Sequence, residues 1–234
     1  MSKVRSWVQS LVRFIAASGA RRSLQRGLGG VHVAGLDRAQ QALGAGPCIF
    51  AATHVSWWDG LIVRELGARL DSNQRILVDA HRMKQFSFFS AFDCLALDRS
   101  GLTSARPAIR AVEEHLAGPG TAVWVFPQGR QLPTSIRPLR LQKGALWMAK
   151  KTGACLIPVA LDYRFLESPK PAAFVDFGSP LAPLTQERLH EALVQGLHRI
   201  DERSSVQLPA YPPDLPTRAL GWLWNQTAKG ERHG

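Results

Sequence analysis

Three cysteines in 234 residues, Cys48, Cys94 and Cys155, are too few for a disulfide scaffold, and none stands in a CxxC spacing. All lie in apolar runs, so they read as buried, reduced thiols of a cytosolic protein rather than as zinc ligands. No uninterrupted run of about 18 apolar residues occurs, so the sequence predicts no membrane-spanning helix. The N-terminal apolar stretch is broken by Gln9, Ser10 and Arg13 and does not read as a signal peptide. The glycines around Val31-His32-Val33 form no GxGxxG opening a helix, which removes the usual dinucleotide fingerprint. Acids are the scarce charge. There are 18 Asp and Glu against 29 Lys and Arg, a net charge of +11. Such an excess suits anionic partners: nucleic acid, anionic lipid, phosphorylated substrates or an acidic carrier protein. The nucleic-acid reading lacks aromatics interleaved with the basic residues, and no known binding motif is present.

The remaining composition is that of a globular domain, 45% hydrophobic and 20% charged. The length allows one large domain with a sizeable core. Strand-like and helix-like runs alternate. Strand Cys48–Ala52 precedes helix Trp57–Leu70, and strand Arg75–Ala80 precedes a Phe-rich helical segment, Met83 to Ala91. Strand Cys94–Asp98, helix Ser104–Ala117, strand Thr121–Phe126 and helix Leu141–Lys151 follow, the last closed by Gly153 as C-cap. Strands Cys155–Tyr163 and Ala173–Phe177 lead to a helix from Thr185 to Arg203, and Val31–Val33 reads as a short edge strand. The pattern predicts an α/β fold: a single domain with a mixed, largely parallel central sheet flanked by helices. It also predicts an N-terminal amphipathic helix, because Val4, Trp7, Val8, Leu11, Val12 and Ile15 share one helical face. With Arg21, Arg22 and Arg26 behind it, that helix suits either a membrane interface or the domain core. The segments are then 1–26 (amphipathic helix), 27–203 (main domain) and 204–234 (Pro-rich tail with Trp222 and Trp224).

In parallel sheets, ligands gather where strands end. His54 stands at one such end with Asp59 five residues on. A His that accepts a proton needs a partner on its other ring nitrogen, and a carboxylate serves. The same residues also fit a helix cap, with Ser56 at the N-cap and Asp59 at N3. A metal set of His54, Asp59, Asp79 and His81 is a weaker alternative, since no ligand spacing supports it. A second strand end reads Phe126-Pro127-Gln128-Gly129-Arg130 and a third Asp98-Arg99. Glycine permits close backbone approach, and the arginines suit an anion, although each also fits a solvated loop.

Together these residues resemble the glycerophospholipid acyltransferase family, of the lysophosphatidate acyltransferase type. Thr53-His54-Val55-Ser56-Trp57-Trp58-Asp59 is similar to its first motif, with Thr for the usual Asn. Cys94 to Arg99, preceded by Lys84, looks like the second. Phe126-Pro127-Gln128-Gly129-Arg130 looks like the third, with Gln128 for Glu and the Thr before Arg130 missing. Leu156-Ile157-Pro158-Val159-Ala160 looks like the fourth. The resemblance covers about residues 48 to 163. It implies His54 as general base and Asp59 as its orienting partner. It implies substrate binding by Arg99, Phe126, Pro127, Gln128, Gly129 and Arg130. It implies no metal and no cofactor, and an acyl-CoA or acyl carrier protein as donor. It implies a lysophospholipid as acceptor or, given Gln128, a glycolipid, carotenoid glycoside or ornithine lipid. Of Trp57 and Trp58, one is then expected to line an acyl tunnel and the other to pack helix on sheet. The expected location is the cytoplasmic face of the membrane, peripherally attached.

Overall fold

The computed structural model describes residues 19–85, 93–205 and 223–225. The amphipathic helix predicted over 3–18 lies outside the described residues, as do most of the Phe-rich segment, the Pro-rich stretch from 206 onward and Trp222. The elements in chain order are helix α1 (19–27), β1 (Gly30–Ala34), α2 (Leu36–Ala45), β2 (Cys48–Ala52) and α3 (Asp59–Leu70). β3 (Asn73–Asp79), α4 (Ala80–Gln85), β4 (Cys94–Leu97), α5 (Leu102–Leu116), β5 (Thr121–Val125) and α6 (Gly144–Thr152) come next. β6 (Cys155–Arg164), β7 (Ala172–Phe177), α7 (Gln186–Ser205) and β8 (Leu223–Asn225) complete the described chain.

The strands form one sheet in the order β4-β3-β5-β2-β6-β7-β1-β8. Every neighbouring pair is parallel except β6 with β7, so the sheet is mixed and largely parallel, as the alternation predicts. β2, β5 and β7 are buried at every position. That burial is why β2 and β5 read as near-continuous apolar runs, and β7 as one broken only by Asp176, which pairs with Arg199 and Arg203: helices cover both faces of a largely parallel sheet. On one face Phe50, Trp124 and Phe177 meet Leu24, Leu36, Leu43, Ile62 and Leu66 from α1 to α3. On the other, Ile49, Val123 and Leu156 meet Val112, Met148 and Leu193 from α5 to α7.

Several local expectations shift. β1 is not an edge strand. It pairs with β7 on one side and with β8 on the other, so the chain's C-terminal segment forms the edge. That pairing joins opposite ends of the chain and leaves no local signal. β3 stops at Asp79 because Ala80 already opens α4, and α6 starts at Gly144, later than Leu141. Gly153 caps α6 in the left-handed region, φ 68°, as glycine permits. Only Cys48 is fully buried; Cys94 and Cys155 are half-buried, and all three are free. Among the described residues no helix is long and apolar enough to cross a membrane.

The aromatic centre of the first face is tight. Ring centroids of Phe50 and Trp124 lie 4.6 Å apart, and those of Trp124 and Phe177 5.9 Å. The buried Trp124 Nε1 donates to Gln74 Oε1 at 2.6 Å. Trp124→Ala removes the largest fully buried side chain and should cost about 3–5 kcal/mol in a denaturant-unfolding experiment. A loss under about 1 kcal/mol would show that this cluster does not anchor the sheet.

Candidate active site

β2 lies between β5 and β6, and all three run parallel and end on the same side. The chain leaves β2 through Thr53, which is fully buried. Its Oγ1 donates to Leu161 O and accepts from Leu161 N, both at 2.7 Å, while its own N donates to Val159 O. The hydroxyl thus extends the β2–β6 pairing as the backbone turns away. His54 follows, and its backbone is held on both sides: its N–H donates to Gln128 Oε1 at 2.7 Å, and its carbonyl accepts from Leu132 N at 2.8 Å. Its ring stacks on Phe126, centroids 4.3 Å apart.

Asp59 is the first residue of α3 and is fully buried. One carboxylate oxygen, Oδ2, accepts from Val55 N at 2.7 Å and Ser56 N at 3.0 Å and lies 2.7 Å from His54 Nδ1. The other, Oδ1, accepts from the Tyr163 hydroxyl at 2.6 Å. Burial first, and the Asp59 charge next, push the Tyr163 phenol well above its usual range, so it stays protonated and donates. With Nδ1–H given to the carboxylate, Nε2 is the ring nitrogen able to accept a proton. The expected cap forms only in part. Trp58, not Ser56, is the N-cap of α3, and Ser56 Oγ takes Trp58 N at 3.3 Å. The Asp59 side chain does bond back to the turn, so it serves helix start and histidine together.

His54 opens on a cavity of about 440 Å³. Trp57, Arg99, Phe126, Pro127, Gly129 and Arg130 line it with His54. Apolar walls come from Ile76, Val78, Leu97, Val125, Ala145 and Met148, contributed by β3, β4, β5 and α6. Arg99 Nη1 donates to Gly129 O at 3.0 Å, tying the end of β4 to the loop after β5. Gly129 has φ 71°, and a Cβ there would lie 2.9 Å from the Arg99 guanidinium, so glycine is needed twice over.

The structure therefore brings His54, Asp59, Arg99, Phe126, Pro127, Gly129 and Arg130 to one place. Gln128 departs from the expectation of a substrate contact. It is buried, it does not line the cavity, and it holds the His54 backbone instead. Trp57 is the cavity residue of the tryptophan pair; Trp58 packs against the core and over Gly27. Among the described residues no three His, Cys, Asp or Glu side chains are placed to hold a metal ion. Two residues were missed. Arg82 lines the cavity from α4, a strand-end arginine by the same logic as Arg99. Tyr163 touches Asp59 from across the sheet, and nothing in its local sequence signals that.

A model of the acyltransferase family matches residues 30–162, more than half of the chain. The chain belongs to the acyltransferase family. No curated protein matches this acyltransferase by sequence. Among solved structures it is similar to the 1-acyl-sn-glycerophosphate acyltransferase PlsC from Thermotoga maritima, with a TM-score of 0.56 and 19% identity. The match covers 87% of this chain and 84% of that one, and it shows a shared fold.

If Gln128 acts by holding His54, its oxygen matters more than its charge state. Gln128→Glu should then retain more acyl transfer than Gln128→Ala, by on the order of 10- to 100-fold in initial rate, because a misplaced His54 loses alignment. Equal rates for the two variants would remove this role.

Proposed function

We propose that this acyltransferase moves a fatty acyl group from acyl-CoA or acyl carrier protein to a hydroxyl of a lysophospholipid such as 1-acylglycerol 3-phosphate. The observation that carries the reading is a His54–Asp59 pair at the mouth of an apolar cavity bordered by Arg82, Arg99 and Arg130. The solved relative in fold is named for 1-acyl-sn-glycerophosphate, which is the same acceptor class. His54 Nε2 takes the proton of the acceptor hydroxyl as its oxygen attacks the thioester carbonyl. The tetrahedral intermediate collapses by breaking the C–S bond, and the imidazolium returns the proton to the departing sulfur. Asp59 stabilises the imidazolium in between. The arginines take the acceptor's phosphate, and the apolar wall takes an acyl chain. These steps call on no metal and no cofactor.

Labelled acyl-CoA and acyl carrier protein should be offered with lysophosphatidate, a neutral lysolipid and a glycolipid. Transfer to the phosphate-bearing acceptor should lead, and His54→Ala should lose about 10²–10⁴-fold. Equal transfer by wild type and His54→Ala would overturn the mechanism. Acceptor binding without any transfer would leave a lipid-binding relative.

The reading extends to a membrane surface. Trp57, Ile136 and Phe165 are 54%, 49% and 75% exposed. All belong to the end of the sheet where His54 lies. Trp57 is in the turn after β2, and Phe165 follows β6 directly. Ile136 sits in the loop that Leu132 ties to His54 and Thr134 to Asp162. Exposed Arg130, Arg137 and Arg140 belong to the same loop region. Apolar tips among cations suit an anionic bilayer on the cytoplasmic face, and the amphipathic sequence of residues 3–18 suits the same kind of surface. Co-sedimentation with phosphatidylglycerol vesicles should weaken several-fold in a Trp57→Ser/Phe165→Ser variant and after deletion of residues 1–18. Unchanged binding in both would sink this orientation.

A further inference from the structure

The reaction above uses two side chains, but the buried carboxylate has a further partner that the mechanism leaves idle. We propose that Tyr163 is a positioning residue for acyl transfer: its hydroxyl holds Asp59, and through Asp59 it sets the direction and basicity of His54.

A carboxylate offers about four lone-pair positions. Among the described residues Asp59 has four partners: His54 Nδ1, the backbone N–H groups of Val55 and Ser56, and the Tyr163 hydroxyl at 2.6 Å. Three crowd onto Oδ2. Tyr163 alone occupies Oδ1 among the bonds seen here, so it is the contact that fixes the carboxylate's rotation about its own axis. It comes from a different element, the end of β6, so it also locks α3 to the sheet at the site. The ring is itself braced, with Trp58 at 6.2 Å. The hydroxyl draws charge toward Oδ1 and so limits how strongly Oδ2 favours a protonated His54. A base held too strongly as imidazolium is unavailable to the acceptor hydroxyl, so the bond tunes as well as orients.

The groups that bear on this are few. Asp59 faces both rings. Asp79, Arg82, Arg99 and Arg130 share the cavity with His54. On the Tyr163 side the neighbouring Asp162 is paired with Arg164 and accepts from Thr134 Oγ1. The phenol also meets the Ser56 hydroxyl and feels the Asp162 charge, so the part of any Tyr163 effect that runs through Asp59 is the part lost in an Asp59→Asn background.

The proposal rests on the transfer reaction proposed above, and wild type against His54→Ala tests that reaction separately. Tyr163→Phe keeps the ring and removes the donor. It should lower kcat about 5- to 20-fold with KM for donor and acceptor changed less than threefold, and the acid limb of kcat/KM should move to higher pH. In an Asp59→Asn background the same substitution should change kcat less than twofold, because the shared carboxylate is already gone. A second arm avoids any folding defect. The chain has two tyrosines, Tyr163 and Tyr211. In a Tyr211→Phe variant grown on 3-fluorotyrosine, only Tyr163 carries the more acidic phenol. A stronger donor should move the acid limb the opposite way, to lower pH, at unchanged shape. A packing role moves neither limb. Unmoved limbs in both arms, full additivity with Asp59→Asn, or a loss confined to KM would each overturn the proposal.

Discussion

An ionised carboxylate removed from water is costly unless donors replace its hydration. Asp59 is fully buried, and its solution dictates the site. The turn after β2 must curl so that Val55 and Ser56 N–H groups point back at it, and that curl places the His54 ring at Oδ2. The fourth donor must come from β6. This makes the β2–β6 register part of the chemistry. Cys48 pairs with Cys155 and Ala52 with Val159, and Thr53 carries the pairing on to Leu161, two residues before Tyr163. A slip of one residue would turn Tyr163 to the opposite face and leave Oδ1 without its donor.

The second demand on the same sheet end is room. The strands there are packed on both faces, yet a cavity opens beside His54. Part of the reason is the late start of α6. Because the helix begins at Gly144, its first turn presents Gly144 and Ala145 to the cavity, and small side chains leave space that a larger residue would fill. The preceding loop is kept compact by Gln142 N donating to Pro127 O and Gly129 N to Phe126 O. One loop thus serves both demands: it supplies Phe126 to the histidine ring and Gln128 to its backbone, and it leads into α6 at the cavity wall.

Much of this was legible because it is local. Strands buried on both faces must be apolar throughout, so β2, β5, β6 and β7 stand out as runs. Chemistry gathers at their ends, so His54, Asp59, Arg99 and Arg130 could be read from position. What could not be read is set by contacts between distant segments. Gln128 looks like a cavity residue by its neighbours, but the demand of the His54 N–H turns it inward. Ser56 looks like an N-cap, but Asp59 supplies the back-bond and the helix begins later. Tyr163 has no distinguishing neighbourhood, and β1 gains its second neighbour from the opposite end of the chain.

On the proposed reaction, Arg99 links the side that would bind the anion to the base. A guanidinium carries five N–H donors in a fixed plane, and one of Arg99's is directed to Gly129 O. The same side chain lines the cavity. A lysine, with a compact ammonium and no planar fork, could not keep the loop bond and present a second, preset direction to a ligand. An anion drawn to this guanidinium would therefore bear on the Gly129 turn, and that turn is bonded to Phe126 and adjoins Gln128. Both of those residues hold His54. On that reaction the charge of the acceptor and the nitrogen that would receive its proton are positioned by the same few residues, so substrate binding and alignment of the base would be coupled.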